Sequence, residues 1–296
     1  MRMKVGVFSF NRSPAEEIVN GLIARNDVSE IHMLKEDYIK GRNSISDVTK
    51  INVHEDYDSL LRKVDVVVAI LAKLKDYEIL SEALSRGKLA LIEGPLALDR
   101  DKFEEIAKRR ELIYIPRVLD FNPYLKELVN VKRNIGEILS VSILMRVKIL
   151  DEGSSAELAL SALYRSLEAV YAFLETEIRD VVCAEKTKDE SLMVLLESST
   201  GTVVSIDVFL TKMISDMKVV VVGSEGSATL DTSKQIFKIC TEKETQSEFF
   251  GPEVYSNFLE YFFGAVSRGS KPKIDIDYVK RVNEIIFRVR ELLKSV

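Results

Sequence analysis

The N-terminal part of the chain alternates short apolar runs with segments in which apolar residues recur every three or four positions. This alternation is typical of βαβ units, in which helices join parallel strands. The run Val64–Leu71 is almost entirely apolar and rich in β-branched residues, which is typical of a central strand covered on both faces. The pattern predicts an α/β domain built on a parallel sheet. The predicted strands are Lys4–Phe8, Glu30–Leu34, Val64–Leu71, Leu89–Glu93 and Leu112–Ile115, and the predicted helices are Pro14–Ala24, Ser59–Lys63, Asp76–Ser85 and Asp99–Arg110.

The pattern changes after Pro116 and Pro123. Short alternating segments then follow one another with turns rather than helices between them, and Ser198–Gly201 is a hairpin signal. One long helix, Ala156–Leu174, interrupts them, and helical periodicity returns at the end of the chain. These features predict an open antiparallel sheet in an α+β domain. The predicted strands are Ile138–Leu150, Asp180–Ala184, Leu192–Glu197, Thr202–Leu210, Met217–Val222 and Ser227–Leu230, and the final helices are Val254–Ser267 and Tyr278–Lys294.

At 296 residues the chain is longer than a typical single domain. The change of pattern predicts an N-terminal domain over residues 1–118 and a C-terminal domain over residues 119–296, with the last helix able to pack back on the first domain. Hydrophobic residues make up 46% of the sequence and charged residues 30%, which is typical of a globular protein. The net charge of −5 argues against a nucleic-acid partner or an anionic-membrane surface.

The sequence contains only two cysteines and two histidines. Cys183 and Cys240 are far apart in apolar stretches, and this favours reduced thiols over a disulfide framework. The N-terminus runs directly into strand residues without an apolar signal segment, so we expect a cytoplasmic protein. We interpret His32 and His54 as structural or exposed residues, and with so few ligands we expect no metal site.

The segment after the first predicted strand has the position of a dinucleotide phosphate turn, but it contains no glycine after Gly6. Glycines let backbone amides approach a pyrophosphate at the N-terminus of the following helix. The sequence here predicts a self-capped helix, with Ser13 as N-cap, Pro14 at the first position and Glu16 closing a capping box. Self-capping uses the amides that a phosphate needs, whereas short polar or cationic side chains could hold the phosphate instead. The candidate cofactor-binding residues of this turn are Ser9, Phe10, Asn11, Arg12 and Ser13.

Further segments resemble the landmarks of a known family. They run in order from Asp65–Ile70 and Glu93–Ala97 through Phe121–Pro123 and Ile135–Ile138 to Gly223–Asp231. Together they resemble the Gfo/Idh/MocA oxidoreductases along nearly the whole chain. The resemblance implies a Rossmann-like NAD(P)-binding domain, followed by a C-terminal open antiparallel sheet domain for substrate binding and oligomerisation.

Three functional positions depart from the family pattern, so the chain resembles a divergent member with degenerate motifs. The Glu-Lys-Pro motif of the family is Glu93-Gly94-Pro95 here, and a glycine cannot act as acid or base. The histidine of the second domain falls on Arg165, whose guanidinium cannot replace a titrating imidazole. The Thr-Pro-Asn loop near the nicotinamide falls on Leu71, Ala72 and Lys73.

Position in the pattern nominates the candidate catalytic residues. Arg165 and Glu168 lie three apart on one helical face and form either a surface ion pair or part of a cleft. Lys73 and Lys75 follow the carboxyl end of the central strand, where α/β sheets place ligands, and they are either functional or solvated loop lysines. The candidate catalytic residues are Arg165, Glu168, Lys73 and Tyr77, and the candidate cofactor-binding residues outside the phosphate turn are Lys35, Leu71, Ala72, Glu93 and Gly94.

The resemblance implies an NAD(P)-dependent oxidoreductase that acts on a sugar-like or other small carbonyl or polyol substrate. The alternative is a catalytically silent homologue that binds a nucleotide or a sugar as a regulatory or scaffold protein, with or without a redox cofactor. NADP is slightly favoured over NAD, because Arg12 and Lys35 could meet a 2′-phosphate where NAD-specific proteins carry an acid. Apolar residues on both faces of Thr202–Leu210 indicate a sheet that is covered on both sides. The family resemblance implies that a homodimer or homotetramer forms through this C-terminal sheet.

Overall fold

The computed structural model describes residues 2–8, 15–71, 73–117, 123–149, 155–174, 177–186, 191–249, 255–270 and 275–294. The chain divides into two compact units, each assembled from three stretches of sequence. Unit 1 comprises Met1–Pro116, Ile149–Glu157 and Val254–Lys280, and unit 2 comprises Arg117–Lys148, Leu158–Glu253 and Arg281–Val296.

Unit 1 is built on a parallel six-stranded sheet. Its strands are β1 (Met3–Phe8), β2 (Val28–Leu34), β3 (Ile51–His54), β4 (Val66–Ile70), β5 (Leu89–Glu93) and β6 (Ile113–Tyr114). They lie in the order β3-β2-β1-β4-β5-β6, so the direction of strand addition reverses between β1 and β4. This is the order of a Rossmann-like sheet. Every residue of β4 is buried, which confirms the prediction of a central strand covered on both faces.

Two of the helices of unit 1 begin at an aspartate that caps them. The helices of this unit include α1 (Ala15–Ala24), α2 (Lys35–Gly41), α3 (Tyr57–Leu61), α4 (Leu74–Ser85) and α5 (Arg100–Ala107), followed by a 3₁₀ turn at Arg110–Leu112. Asp56 caps α3 by accepting a hydrogen bond from the Ser59 N–H at 2.8 Å. Asp99 caps α5 in the same way, with the Lys102 N–H at 2.9 Å. Gly87, predicted to end α4, has the positive φ of 72° that such a position requires.

A helix from late in the chain, Tyr255–Ser267, packs on α1. The two helices cross closely, because a Cβ on Gly21 would lie 2.7 Å from Leu259 Cδ1. The Arg25 guanidinium lies 4.9 Å from the ring centroid of Phe263 and makes a 3.0 Å ion pair with Glu260. The C-terminal part of the chain therefore contributes to the core of unit 1.

Unit 2 is built on an eight-stranded sheet. Its strands are β7 (Ile138–Lys148), β8 (Ile178–Lys186), β9 (Leu192–Ser198), β10 (Val203–Thr211), β11 (Asp216–Gly223), β12 (Gly226–Asp231), β13 (Ile236–Thr241) and β14 (Thr245–Phe249). They lie in the order β14-β13-β12-β11-β7-β10-β9-β8. Neighbours are antiparallel, as the sequence pattern predicts, except β7 and β10, which are parallel. The reason is the long connection after β7, which includes a helix and lets a later strand return beside it in the same direction.

One face of the unit 2 sheet is buried and the other is exposed. In β7, Val141, Ile143 and Val147 are almost fully buried, whereas Leu144 on the opposite face is 37% exposed.

Four more helices complete the described chain. α6 (Pro123–Asn130) precedes β7 and α7 (Ser155–Phe173) follows it. The helix Tyr255–Ser267 is α8, and the last helix is α9 (Ile276–Lys294). No helix in these ranges is long and apolar enough to cross a membrane.

Some local predictions need correction. Cys183 and Cys240 are free thiols, but Cys183 is exposed rather than enclosed in an apolar setting, because it lies on an outward-facing position of β8. The sequence pattern also missed β3, β13, β14, α2 and α6. β3 has no fully buried residue and β14 is exposed at every position, so these two edge strands carry little of the hydrophobic periodicity on which the predictions depend.

Candidate functional site

Unit 1 contains an open cavity, which lies between the carboxyl ends of β2 and β3 and the start of α4. Its volume is about 470 Å³, which lies within the range of small-molecule sites. We call it the strand-end cavity. It lies at the edge of the sheet where open α/β folds bind ligands, next to the point at which the strand order reverses. Its lining residues are Leu34, Lys35, Glu36, Ile39, Glu55, Asp56, Tyr57 and Lys75.

Two ion pairs lie at the rim of the strand-end cavity. Lys35 Nζ is 2.7 Å from Glu55 Oε1, and Lys75 Nζ is 2.9 Å from Glu36 Oε1. The hydrogen bond from Lys75 lowers the pKa of Glu36, and the same contact raises the pKa of Lys75. All four side chains are more than half exposed, so each pair contributes at most about 1 kcal/mol to stability. Pairs this weak can open when a ligand offers other partners.

The two histidines form a hydrogen-bonded pair that connects β2 to β3. His32 Nδ1 and His54 Nε2 are 2.8 Å apart, and His32 Nε2 lies 3.0 Å from a carboxylate oxygen of Glu30. His54 Nδ1 lies 3.2 Å from the Ser59 hydroxyl in α3. The side chain of His32 is only 4% exposed, and this burial lowers its pKa. The pair ties two strands and a helix together, which supports its interpretation as structural.

The phosphate turn predicted from the sequence cannot be compared with the geometry. Ser9, Phe10, Asn11, Arg12 and Ser13 lie outside the described residues, as does Ala72, so their assignment to a cofactor stays a prediction. Among the described residues, no group of three or more His, Cys, Asp or Glu side chains is arranged to hold a metal ion.

The candidates at the ends of β4 and β5 are brought together by backbone contacts. The Leu71 N–H donates to the Glu93 carbonyl at 2.8 Å, which extends the pairing of the two strands. Lys73 is half-buried at the N-cap of α4, where its N–H donates to the Asp76 carboxylate at 2.7 Å. Tyr77, the residue after Asp76 in α4, is only 2% exposed. The backbone at this strand end is thus held in place, while the Lys73 side chain remains partly accessible.

The position of the family lysine is set by backbone conformation. Gly94 is buried and has a φ of 111°, in the region that favours glycine. Any side chain at this position would strain the backbone, so a lysine could not replace Gly94 without a change in the turn. This conformation is typical of a turn, so we interpret Gly94-Pro95 as a turn.

The candidates of unit 2 lie on α7. Glu168 is 2% exposed, so its interpretation as half of a surface ion pair is wrong. Arg165 is half-buried on the same helix. The spacing of three places the two residues on one helical face, but only the packing of α7 shows that this face turns inward. Lys73 and Tyr77 belong to unit 1, whereas Arg165 and Glu168 belong to unit 2.

Glu36 and Glu55 are residues of the strand-end cavity that sequence reasoning missed. Glu36 follows Lys35 directly, so its position after a predicted strand was an available signal. Glu55 follows β3, a short strand with no fully buried residue that the hydrophobic pattern did not predict. No signal in the sequence therefore predicts that Glu55 lies beside Lys35.

Solved structures with the same fold cover nearly the whole chain. The dehydrogenase GnnA from Acidithiobacillus ferrooxidans, named a UDP-N-acetylglucosamine 3-dehydrogenase, matches with a TM-score of 0.75 at 14% identity, over 100% of this chain and 99% of that chain. The 3-ketoreductase KijD10 from Actinomadura kijaniata, in complex with NADP and TDP-benzene, matches with a TM-score of 0.78 at 17% identity, over 100% and 98%. A dehydrogenase (MviM) from Clostridium difficile matches with a TM-score of 0.73 at 13% identity, over 98% and 99%.

These likenesses show that the chain has the fold of the Gfo/Idh-type dehydrogenases, as the sequence resemblance implies. At such low identity they show the fold alone. The sequence matches no protein-family model and no curated protein.

Proposed function

We propose that this protein is an NAD(P)-dependent oxidoreductase of the Gfo/Idh/MocA type, acting on a sugar-like or other small carbonyl or polyol compound. The observation that carries the proposal is the strand-end cavity, which lies at the ligand-binding edge of a Rossmann-like sheet. The fold shared with GnnA, named a UDP-N-acetylglucosamine 3-dehydrogenase, and with KijD10, named a 3-ketoreductase, supports the choice of reaction class.

The residues of the cavity fit the adenosine half of a dinucleotide. Leu34, Ile39 and Tyr57 offer apolar surface to a base, and the carboxylates of Glu36 and Glu55 can accept hydrogen bonds from ribose hydroxyls. A bound nicotinamide dinucleotide would supply hydride-transfer chemistry. The protein's share of the reaction is to bind and orient the substrate and to move a proton.

Lys73 is the residue we assign to proton transfer. Gly94 has no proton to give, and Lys73 stands at the N-cap of α4, shortly after β4, which borders the point where the strand order reverses. Its ammonium group can donate a proton to a substrate oxygen and take one back in the reverse direction. Arg165 stays charged at all working pH values, so in unit 2 it would orient a substrate oxygen and not transfer a proton. Tyr77 and Glu168 are buried and would act as positioning residues.

Thermal unfolding with added NADH or NADPH tests the proposal. A ligand at one hundred times its dissociation constant adds about 2.7 kcal/mol to stability, so a clear rise in melting temperature is expected with one of the two. Turnover is then measured on a panel of sugars and carbonyl compounds. Lys73→Met is expected to lower kcat by about 10²-fold or more, whereas Lys108→Met, at an exposed site in the same unit, is not. A folded protein that neither binds nor oxidises any nicotinamide nucleotide would contradict the proposal.

A catalytically silent binding protein is the second candidate. It is favoured by one observation, the positive φ of Gly94, because the backbone at the position of the family lysine is built for a residue without a side chain. Calorimetric binding of a dinucleotide or a sugar without turnover on the same panel would favour this candidate, and turnover would exclude it.

We also propose that two copies of the chain associate through the exposed face of the unit 2 sheet. Leu144 of β7 lies between Asp207 of β10 and Lys218 of β11 in the strand register. A two-fold axis that runs along β7 at Leu144 would place Asp207 opposite Lys218 of the partner subunit. Opposite charges would then pair on both sides of an apolar centre. Partial burial already raises the pKa of Asp207, and a partner cation would offset that cost. The exposed apolar residues of this face are Leu144, Met193, Val203, Phe209 and Val222.

Light scattering tests the association. The full chain is expected to have at least the mass of a dimer at micromolar concentration, and Leu144→Asp is expected to yield monomers. Met213→Asp is the matched control, since Met213 is 83% exposed in the turn between β10 and β11. A monomeric wild-type protein would contradict this part of the proposal.

A further inference from the structure

A path of polar contacts leads from β2 to one wall of the strand-end cavity. Glu30 Oε2 lies 3.0 Å from His32 Nε2, and His32 Nδ1 lies 2.8 Å from His54 Nε2. On its other side, His54 Nδ1 lies 3.2 Å from the Ser59 hydroxyl. That hydroxyl also lies 2.9 Å from the carbonyl oxygen of Asp56, a residue that lines the cavity. Protons on the two imidazole rings are therefore linked to the cavity wall by hydrogen bonds.

The proton positions along this path follow from what each group can donate. A carboxylate only accepts, so the proton between Glu30 and His32 belongs to His32 Nε2. In a neutral imidazole the second nitrogen is an acceptor, so the proton between the two rings belongs to His54 Nε2. His54 Nδ1 is then also an acceptor, and it competes with the Asp56 carbonyl for the one hydroxyl proton of Ser59. With both rings neutral, the path lacks one proton.

One added proton completes the path, and a second one breaks it. On His54 Nδ1, the first added proton is donated to the Ser59 hydroxyl, which then donates to the Asp56 carbonyl. The second can enter only at His32 Nδ1, where it would face the His54 Nε2–H across 2.8 Å. Two N–H groups cannot share one hydrogen bond, and both rings would be positively charged. The rings must therefore separate.

Charges on three strands act on the second protonation. Burial is the main cause that lowers the pKa of His32, and the charges of His54 on β3 and Lys4 on β1 lower it further. Glu30 on β2 acts in the opposite direction and raises this pKa. Glu30 is shared, however, because Lys4 Nζ lies 2.7 Å from its other oxygen. The second proton is therefore taken up only in acid, below the ordinary histidine pKa of about 6.5.

The segment held by the histidine pair forms one wall of the strand-end cavity. His54 is the last residue of β3, and the residues that follow it connect β3 to α3. Other contacts of the segment lie at the surface, where Glu55 makes an exposed ion pair with Lys35 and Asp58 of α3 is paired with Arg86. Because β3 is an edge strand, it can open from this end while its earlier backbone pairs remain. Separation of the rings would displace the three cavity residues Glu55, Asp56 and Tyr57.

We propose that His32 and His54 form a histidine clasp, a proton-operated contact that holds the wall of the strand-end cavity closed and lets it open when both rings are protonated. The cavity therefore loses affinity for its ligand in acid. By linkage, a ligand that requires the closed wall must expel the second proton when it binds. Only the identity of that ligand rests on the function proposed above, because opening of the clasp is a property of the protein alone.

Nuclear magnetic resonance of the full chain tests the clasp without a ligand. The sequence contains only two histidines, so their ring nitrogens give a small set of signals, which the spectrum of His54→Gln assigns. At pH 7.5 the His32 ring is expected to carry a proton on Nε2 and none on Nδ1. At pH 5.0 both rings are expected to be charged, with amide protection factors of residues 53–59 lower by about tenfold or more. A His32 ring protonated on Nδ1 at pH 7.5, or a wall that stays protected with both rings charged, would overturn the clasp.

Three variants separate the clasp from general effects of acid. A glutamine amide at position 54 can donate to neutral His32 and accept from charged His32, so His54→Gln is expected to keep the wall closed at both pH values. Glu30→Gln removes the charge that favours the second proton, so opening is expected at lower pH. Glu105→Gln is the matched control, because Glu105 makes a half-exposed ion pair with Lys102 elsewhere in unit 1 and should leave the opening unchanged. Melting temperatures at pH 7.5 show that each variant is folded.

Calorimetric titration with ADP-ribose tests the effect on the cavity. This probe carries the adenosine half of a dinucleotide, and its diphosphate keeps the same charge at both pH values. Wild-type affinity is expected to fall by about tenfold or more from pH 7.5 to pH 5.0, which corresponds to about 1.4 kcal/mol. His54→Gln is expected to bind with nearly the same affinity at both pH values. The cavity carboxylates are the same in both proteins, so their own titration cannot produce the difference.

The outcomes distinguish the clasp from the function proposed above. If affinity falls equally in the wild-type protein and in His54→Gln, the clasp is wrong and the oxidoreductase proposal stands. If the folded wild-type protein binds neither ADP-ribose nor either dinucleotide, the proposed function fails, while the ring signals and the amide protection still decide whether the clasp opens.

Discussion

The two sheets of this protein bury their residues differently. In β4 of unit 1 every residue is buried, whereas in β7 of unit 2 buried and exposed residues alternate. Parallel strands joined by helices are covered on both faces, so in unit 1 the strand ends are where a ligand can reach the sheet. The sheet of unit 2 has a whole face open to solvent, with Leu144 at its centre. Unit 1 is thus suited to hold a small molecule and unit 2 to meet another surface.

The largest expected difference between the two sheets is the loss of stability when a large side chain is removed from each. Ile70 of β4 is fully buried, and Ile70→Ala is expected to lower the free energy of unfolding by about 3 kcal/mol. Leu144 of β7 is 37% exposed, and Leu144→Ala is expected to cost less than about 1 kcal/mol within one subunit. Urea unfolding followed by circular dichroism measures both values. Equal losses would mean that the two sheets are covered alike.

A second comparison uses glycines with positive φ in the two units. Gly94 is buried with a φ of 111°, and Gly201 is exposed in the hairpin after β9 with a φ of 86°. Gly201→Ala is expected to cost about 1 kcal/mol of backbone strain, since a Cβ there meets no atom within 4 Å. Gly94→Ala is expected to cost about 2 kcal/mol, because the same strain arises inside packed structure. A smaller loss at Gly94 than at Gly201 would contradict the role assigned to the buried turn.

The smallest expected effect is a loss of stability at acidic pH. It is expected in unit 1, which contains both histidines. Burial lowers the pKa of His32, so the unfolded chain takes up a proton there at higher pH than the folded chain does. This stability is present above the unfolded pKa of about 6.5 and decreases as the pH falls from that value towards the folded pKa. A fall in melting temperature of about 1 to 2 °C is expected.

Hydrogen exchange at pH 7.5 and pH 5.5 locates the pH effect. Faster exchange is expected in β2 and β3, and His32→Gln is expected to remove the difference between the two pH values. An effect of equal size in β7 to β14 would show that the histidine pair is not its source.

The hydrophobic pattern was sufficient for most of the fold. The β-branched run of β4, the glycine after α4 and the hairpin at Gly201 each carry a local signal, and each is found where the pattern places it. The pattern failed for β3 and β14, since edge strands with exposed residues lack a buried stripe. It also failed for the parallel pairing of β7 with β10, because the direction of a returning strand depends on the connection and not on the composition of the strand.

The candidate site was predictable only in part. Lys35 directly follows β2 and Lys73 follows β4 closely, so the sequence pattern could nominate both from their positions after strands. Their partners could not be nominated. Glu36 and Lys75 are 39 positions apart, and nothing in either local sequence links them. Glu168 was placed on the correct helix, but its burial depends on which face of α7 packs inward.

The sequence by itself determined which segments form strands and helices, where a βαβ half gives way to a sheet-rich half, and which family the order of landmarks resembles. These properties follow from local propensity and periodicity, which act over a few residues. Only the tertiary structure decided which charges meet at the strand ends, because the order of strands brings Glu36 and Lys75 together over β1. It also decided which sheet face stays open, since covering a face takes partners from distant parts of the chain.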